Sequence, residues 1–200
     1  MTMRSRTTIF NAALLKTGND PTSEGEGTFI WQVLEANYDD IVRAAFEDKE
    51  FPFGKARVTL TSRADGDFGY DDAYTMPSDV IHVQDVYLNE YRAEDLNESW
   101  EINSETNELM INAGTRTVEI EYIKVGLEHT WSAKFALSIQ RSLEALIKDV
   151  QEEVEESQAL QNEADWRLMK AEVKASKNKS DRRVRKGGRL ILAHRGATRR

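Results

Sequence analysis

The chain has 200 residues, 40% of them apolar and 31% charged, with a formal net charge of −8, which suits one domain of moderate size or two small ones able to build a core. It has no cysteine and three histidines, so disulfides, thiol nucleophiles and thiolate zinc sites are excluded together and a dedicated metal site or cofactor is not expected. No apolar run approaches the roughly 18 to 20 residues that cross a bilayer, and the opening Met-Thr-Met-Arg-Ser-Arg has no cleavage-type leader pattern, so the reading is a cytosolic chain or part of an assembly, without a membrane partner.

Thr7 and Thr8 are candidate caps for a short helix through Lys16, with Ile9, Ala12, Ala13 and Leu15 as its apolar face and Gly18 just past its end. A turn-forming stretch follows, and Thr28 opens a second helix to about Asp48, where Ile30, Val33, Leu34, Ile41, Val42 and Ala45 recur at three and four. Phe51-Pro52-Phe53-Gly54 ends it, because proline disfavours helical geometry at the residue before it.

From Lys55 the period changes to two, with Val58 and Leu60 alternating against Arg57, Thr59 and Thr61. Residues 63 to 72 read as an acidic loop, followed by an alternating run from Val80 to Leu88 and three further strands: Ser99 to Asn103, Glu108 to Asn112 and Thr117 to Lys124. Turn composition between them predicts a local antiparallel meander.

Neither glycine nor proline occurs between Gly126 and Gly187, and good helix formers dominate. Ile139, Leu143, Leu146, Val150 and Val154 form one stripe, and Leu160, Ala164, Leu168, Ala171 and Ala175 form another that is out of phase with it. The phase jump predicts a break near 155 to 159 and an antiparallel helical hairpin.

The fold class expected is therefore α+β: a helical bundle of N-terminal helices and a C-terminal helical hairpin, with a small antiparallel sheet between them. The segments are 1–54 (helices), 55–125 (β region), 126–178 (hairpin packing on the first helices) and 179–200 (a basic arm).

Catalytic patterns are weak. Asp65-Gly-Asp67-Phe-Gly-Tyr-Asp71-Asp72 clusters carboxylates, but Tyr70 stands where a calcium loop needs glycine and Met76 where it needs a bidentate Glu, so a solvated hairpin loop is the better reading. His82, His129 and His194 fall in different elements, and the HExxH and GxSxG patterns are missing. Glu152, Glu153, Glu155 and Glu156 read as a solvated helix end rather than a catalytic pair. Gly187-Gly188 lacks the strand and Lys-Ser/Thr of a phosphate loop. The chain is not read as an enzyme.

Charge is divided sharply along the chain. Lys174 to Arg200 carries eleven Lys or Arg and one acid, a net of +10, which leaves 16 bases against 34 acids, a net of −18, in residues 1–173. A basic block of this kind is a solvated end, a phosphate-contacting arm, or a segment that docks on an acidic protein surface. Its interior, Arg189-Leu190-Ile191-Leu192-Ala193, sets an apolar core between basic flanks and favours docking on protein. The candidate docking residues are Arg182, Arg183, Arg185, Lys186, Arg189, Leu190, Ile191, Leu192 and Arg195.

The order of several short motifs resembles the phage head-tail connector proteins of the tail tubular protein A type. Tyr74-x-x-Pro77-x-Asp79-Val80-x-x-Val83 resembles the family's aromatic-x-Leu-Pro-x-Asp segment. Trp100-Glu-Ile102, Leu109-x-Ile111-Asn112 and Val118-x-Ile120-x-Tyr122-Ile123 resemble the meander after it. Trp131-x-x-x-Phe135-Ala136-Leu137 and Phe51-Pro52-Phe53 resemble the start of its first C-terminal helix and the turn closing its long N-terminal helix. Together they span about residues 5 to 175. The chain departs from the pattern with Met76 for leucine, Glu128 for Asp, and a heavily charged helix after Leu143. The resemblance implies a non-enzymatic virion subunit, assembled in the host cytoplasm and located in the neck. It would form a homo-oligomeric ring, commonly of twelve copies, between the portal protein and the tail or nozzle protein, with genomic DNA passing through the channel without specific binding. The docking partner of the arm would then be the portal.

Overall fold

The computed structural model describes residues 4–22 and 27–176. Ser5, rather than Thr7 or Thr8, caps helix α1 (Arg6–Lys16): its hydroxyl accepts the Thr8 N–H at 3.3 Å while the Thr8 hydroxyl accepts the Ser5 N–H at 2.9 Å. Gly18 takes φ +79° after the last turn, and the Asn19 N–H returns to the Leu14 carbonyl at 2.9 Å. The buried face of α1 is Ile9, Phe10, Ala13 and Leu14, so Phe10 and Leu14 replace the expected Ala12 and Leu15, the latter being exposed.

Thr28 caps α2 (Phe29–Asp48) through a 3.3 Å bond from the Trp31 N–H. Its buried stripe, Trp31, Leu34, Tyr38, Val42, Ala45 and Phe46, includes three aromatic residues that the aliphatic pattern overlooked. Phe10 meets Trp31 and Tyr38 edge-on, with centroids 5.0 and 5.2 Å away. After α2 the Phe51-Pro52-Phe53 turn packs into the bundle. The rings of Phe46, Phe51, Phe53 and Phe135 all lie within 6.0 Å of one another, and Trp131 stands 4.9 Å from Phe135.

Eight strands follow: β1 (Lys55–Leu60), β2 (Arg63–Asp65), β3 (Asp72–Thr75), β4 (His82–Leu88), β5 (Tyr91–Arg92), β6 (Trp100–Asn103), β7 (Glu108–Ile111) and β8 (Val118–Ile123). They make two four-stranded antiparallel sheets, ordered β1-β8-β4-β5 and β2-β3-β7-β6. The expected meander is thus corrected. β6 and β7 form a hairpin, but β8 leaves β7 and inserts between β1 and β4. The link between them turns at Ala113 and Gly114, where φ is +63° and both N–H groups bond Asp72. The acidic loop also contains structure, since Arg63–Asp65 pairs with β3. In β4 a bulge at Gln84 separates Val83, opposite Tyr122, from Asp85, opposite Glu121, which explains how Val83 and Val86 share one core despite a spacing of three.

Ser132 caps α3 (Ala133–Val150), and α4 (Val154–Ser176) returns along it. The hairpin turn lies at 151–153, not 155–159. Glu152 adopts φ +64°, with its N–H on Asp149 and the Glu153 N–H on Lys148. A left-handed residue that is not glycine gives no compositional signal, and the phase of the apolar stripes alone locates the break only to within a turn. Val154 consequently begins α4 and is exposed instead of ending the α3 stripe.

The fold is α+β, with four α-helices and two small antiparallel sheets among the described residues. One core joins the helices with Ile123, and a second lies among the strands. The helical and sheet parts meet at Gly54 and Gly126. A Cβ on Gly54 would sit 2.5 Å from the Phe46 ring, and one on Gly126 would sit 2.5 Å from the Phe53 carbonyl oxygen.

Candidate functional site

The docking residues expected in the arm, Arg182, Arg183, Arg185, Lys186, Arg189, Leu190, Ile191, Leu192 and Arg195, lie outside the described residues. Of the histidines, His82 is in β4 and His129 in a 3-10 turn after β8. No group of three or more His, Asp or Glu among the described residues is arranged to hold a metal ion. Among those residues no helix is long and apolar enough to cross a membrane.

The Asp65–Asp72 segment is the tip of the β2–β3 hairpin, and its last acid has structural work. Asp72 is 1% exposed. Oδ1 accepts the Arg63 Nε–H at 2.6 Å, and Oδ2 accepts the N–H groups of Ala113 at 2.9 Å and Gly114 at 3.0 Å. Burial alone would raise its pKa, but the Gly114 N–H, the Arg63 guanidinium and the Ala113 N–H together hold it below the usual carboxylate value.

A groove of about 540 Å³ opens in the helical bundle. α2 and α4 both pack on α3 and leave a slot between them, floored by Ile139 and walled by Ile41, Leu146 and Leu168. Those three wall residues are only partly buried although they touch the main core. Asp48, Asp149 and Asp165, all exposed, stand on the groove's rim. Among the described residues none of these three carboxylates has an ion-pair partner; Asp165 accepts only the Gln161 amide, at 3.2 Å. Near the C-terminal ends of α2 and α4, Lys49 pairs with Glu172 at 3.4 Å.

Other charges on the same hairpin are spent internally. Glu144, 1% exposed, accepts the Gln140 amide at 2.7 Å and pairs with Arg141. Arg141 also reaches Glu163 on α4 at 3.3 Å, where Arg167 completes the set. The Arg167 hydrogen bond, opposed by burial and helped by Arg141, keeps the Glu163 carboxyl below its ordinary pKa. This network fixes α4 against α3 and so sets the groove's width. Sequence reasoning missed the groove because its walls come from α2 and from the α3–α4 hairpin, which lie on either side of the whole β region in the chain. The signal that did exist was the small residues at 44, 45, 142, 145, 157 and 164, which leave space where larger side chains would fill the gap.

No known protein-family model matches the chain, and no curated protein is similar to it at a significant level.

Proposed function

We propose that the chain is a structural head-tail connector subunit of a bacteriophage particle, one copy in a ring between portal and tail that gives the genome a channel. The observation that carries this reading is the shared order of connector-like motifs. Residues from two of them also make up the aromatic centre of the bundle: Phe51, Phe53, Trp131 and Phe135. Two features agree with a subunit built for assembly. Trp166 and Met169, one turn apart on α4, are 54% and 47% exposed, an apolar strip that a ring neighbour would cover. The body of −18 and the arm of +10 supply opposite charges for a neighbouring ring to meet. An acidic channel wall repels phosphates and avoids the salt-linked adhesion that would stall ejection. The arm docks on the portal, with Leu190, Ile191 and Leu192 packing and the arginines pairing acids.

Particle mass measured with and without isolated portal tests the proposal. A ring, alone or on portal, is the expected result, and a persistent monomer in both samples would overturn it. Removal of residues 182–200 is expected to abolish attachment to portal.

A second reading, an arm that contacts nucleic acid, is favoured by the eleven basic residues from Lys174 onward. It requires DNA affinity that falls steeply with salt.

A further inference from the structure

The groove between α2 and α4 has the chemistry of a receptor for a short apolar segment with basic flanks, and this chain carries such a segment. We propose that, in the unassembled subunit, Arg189–Ala193 of the same polypeptide occupies this groove in cis. Leu190, Ile191 and Leu192 would cover the half-buried walls Ile41, Leu146 and Leu168, and the flanking Arg189 and Arg195 would meet the rim acids.

Three observations favour this occupant. The first is charge: three rim carboxylates, Asp48, Asp149 and Asp165, have no ion-pair partner among the described residues, whereas the buried Glu144 and the partly exposed Glu163 of the same hairpin are paired. Arginine flanks satisfy such a rim with charge-assisted hydrogen bonds. The second is apolar area, because the wall residues pack against the main core yet stay partly open, and a short apolar segment removes that surface from water.

The third is reach. α4 ends at Ser176, beside the end of the groove marked by Lys49 and Glu172, and twelve residues separate it from Arg189. A twelve-residue random-coil tether has a root-mean-square span of about 19 Å and a contour length of about 40 Å. The return from Ser176 to Asp165 along α4 is about 16 Å at 1.5 Å per residue. A tether matched to its span gives an effective concentration in the millimolar range, so the chain's own arm outcompetes that of another copy in dilute solution.

The inference does not depend on the ring. In a connector, however, it implies that the arm leaves the groove when it engages the portal, so a free subunit hides both its basic segment and the groove until assembly.

The absence of cysteine makes cross-linking direct. In the full chain, Gln158→Cys on the groove and His194→Cys beside the apolar segment are joined with a short bismaleimide. The expected product is an internally cross-linked monomer whose yield is independent of dilution. The triple substitution Asp48→Lys, Asp149→Lys and Asp165→Lys, at exposed positions, should eliminate it while the circular dichroism spectrum stays unchanged. Pairing His194→Cys with Glu90→Cys in the β4–β5 turn should give no product. Cross-linked dimers in place of monomers, no product at all, or equal yield from the Glu90→Cys pair would each overturn the proposal.

Discussion

Asp72 and Ala113 are joined across 41 residues of sequence by a 2.9 Å bond from the Ala113 N–H to Oδ2. The same carboxylate holds Gly114 and Arg63, so one side chain ties the β2–β3 hairpin to the turn that sends the chain from β7 into the other sheet. Asp72→Ala leaves two backbone donors without their acceptor and should cost about 2–4 kcal/mol, read as a lower urea midpoint at pH 7. The pH dependence follows from the depressed pKa. The stabilisation is fully present above the unfolded-state value, near 3.8, and is lost as pH falls through the lower folded-state value. The stability difference between the wild type and Asp72→Asn is therefore expected to shrink below about pH 4.

Glu152 occupies a left-handed position between α3 and α4 where glycine carries no Cβ penalty. Glu152→Gly should stabilise the chain by about 1 kcal/mol, measured by thermal or chemical unfolding. A loss of stability would show that the side chain contributes more than the backbone strain costs.

Gly54 has the opposite sensitivity. A methyl group there meets the Phe46 ring at 2.5 Å and the Lys124 carbonyl oxygen at 2.9 Å. Gly54→Ala should destabilise by about 1–3 kcal/mol, because the aromatic cluster has little freedom to move away. Unfolding midpoints of the two glycine-related variants, measured together, should move in opposite directions.

The Glu144 carboxylate is buried, and Arg141, a quarter exposed, is its charged partner. Arg141→Met leaves that charge uncompensated and should cost about 3 kcal/mol. Combining it with Glu144→Met should recover most of the loss, and a double-mutant cycle gives the coupling. Strict additivity would mean that the pair does not interact.

Helix positions were legible in the sequence because periodicity and caps are local: Thr28, Gly18 and the Phe51-Pro52-Phe53 turn all act where composition put them. The helical face of α2 was only half legible, since counting aliphatic residues omits Trp31, Tyr38 and Phe46, which fill more of the core than the alanines beside them. Sheet partners were not legible. Val118, Ile120 and Tyr122 announce a strand with one buried face, but nothing local tells β8 to pair with β1, where Lys55 lies opposite Ile123, 68 positions later, rather than with β7 next to it. Asp72 holds the turn that sends the chain into the other sheet, through the Arg63 guanidinium and two backbone N–H groups, contacts that arise only in three dimensions. The groove escaped notice for the same reason: each of its acids looks like ordinary solvated surface until α2, α3 and α4 are set side by side.

The Lys124 N–H donates to the Gly54 carbonyl at 2.9 Å. The first and last residues of the strand-bearing segment are therefore neighbours, and the sheet part is topologically an insertion in a continuous helical frame. Such a segment can be exchanged, enlarged or shortened without rethreading the bundle that carries it. A lineage could thus re-tailor one end of the molecule to a new neighbour while the helices, the groove and the start of the arm keep their geometry.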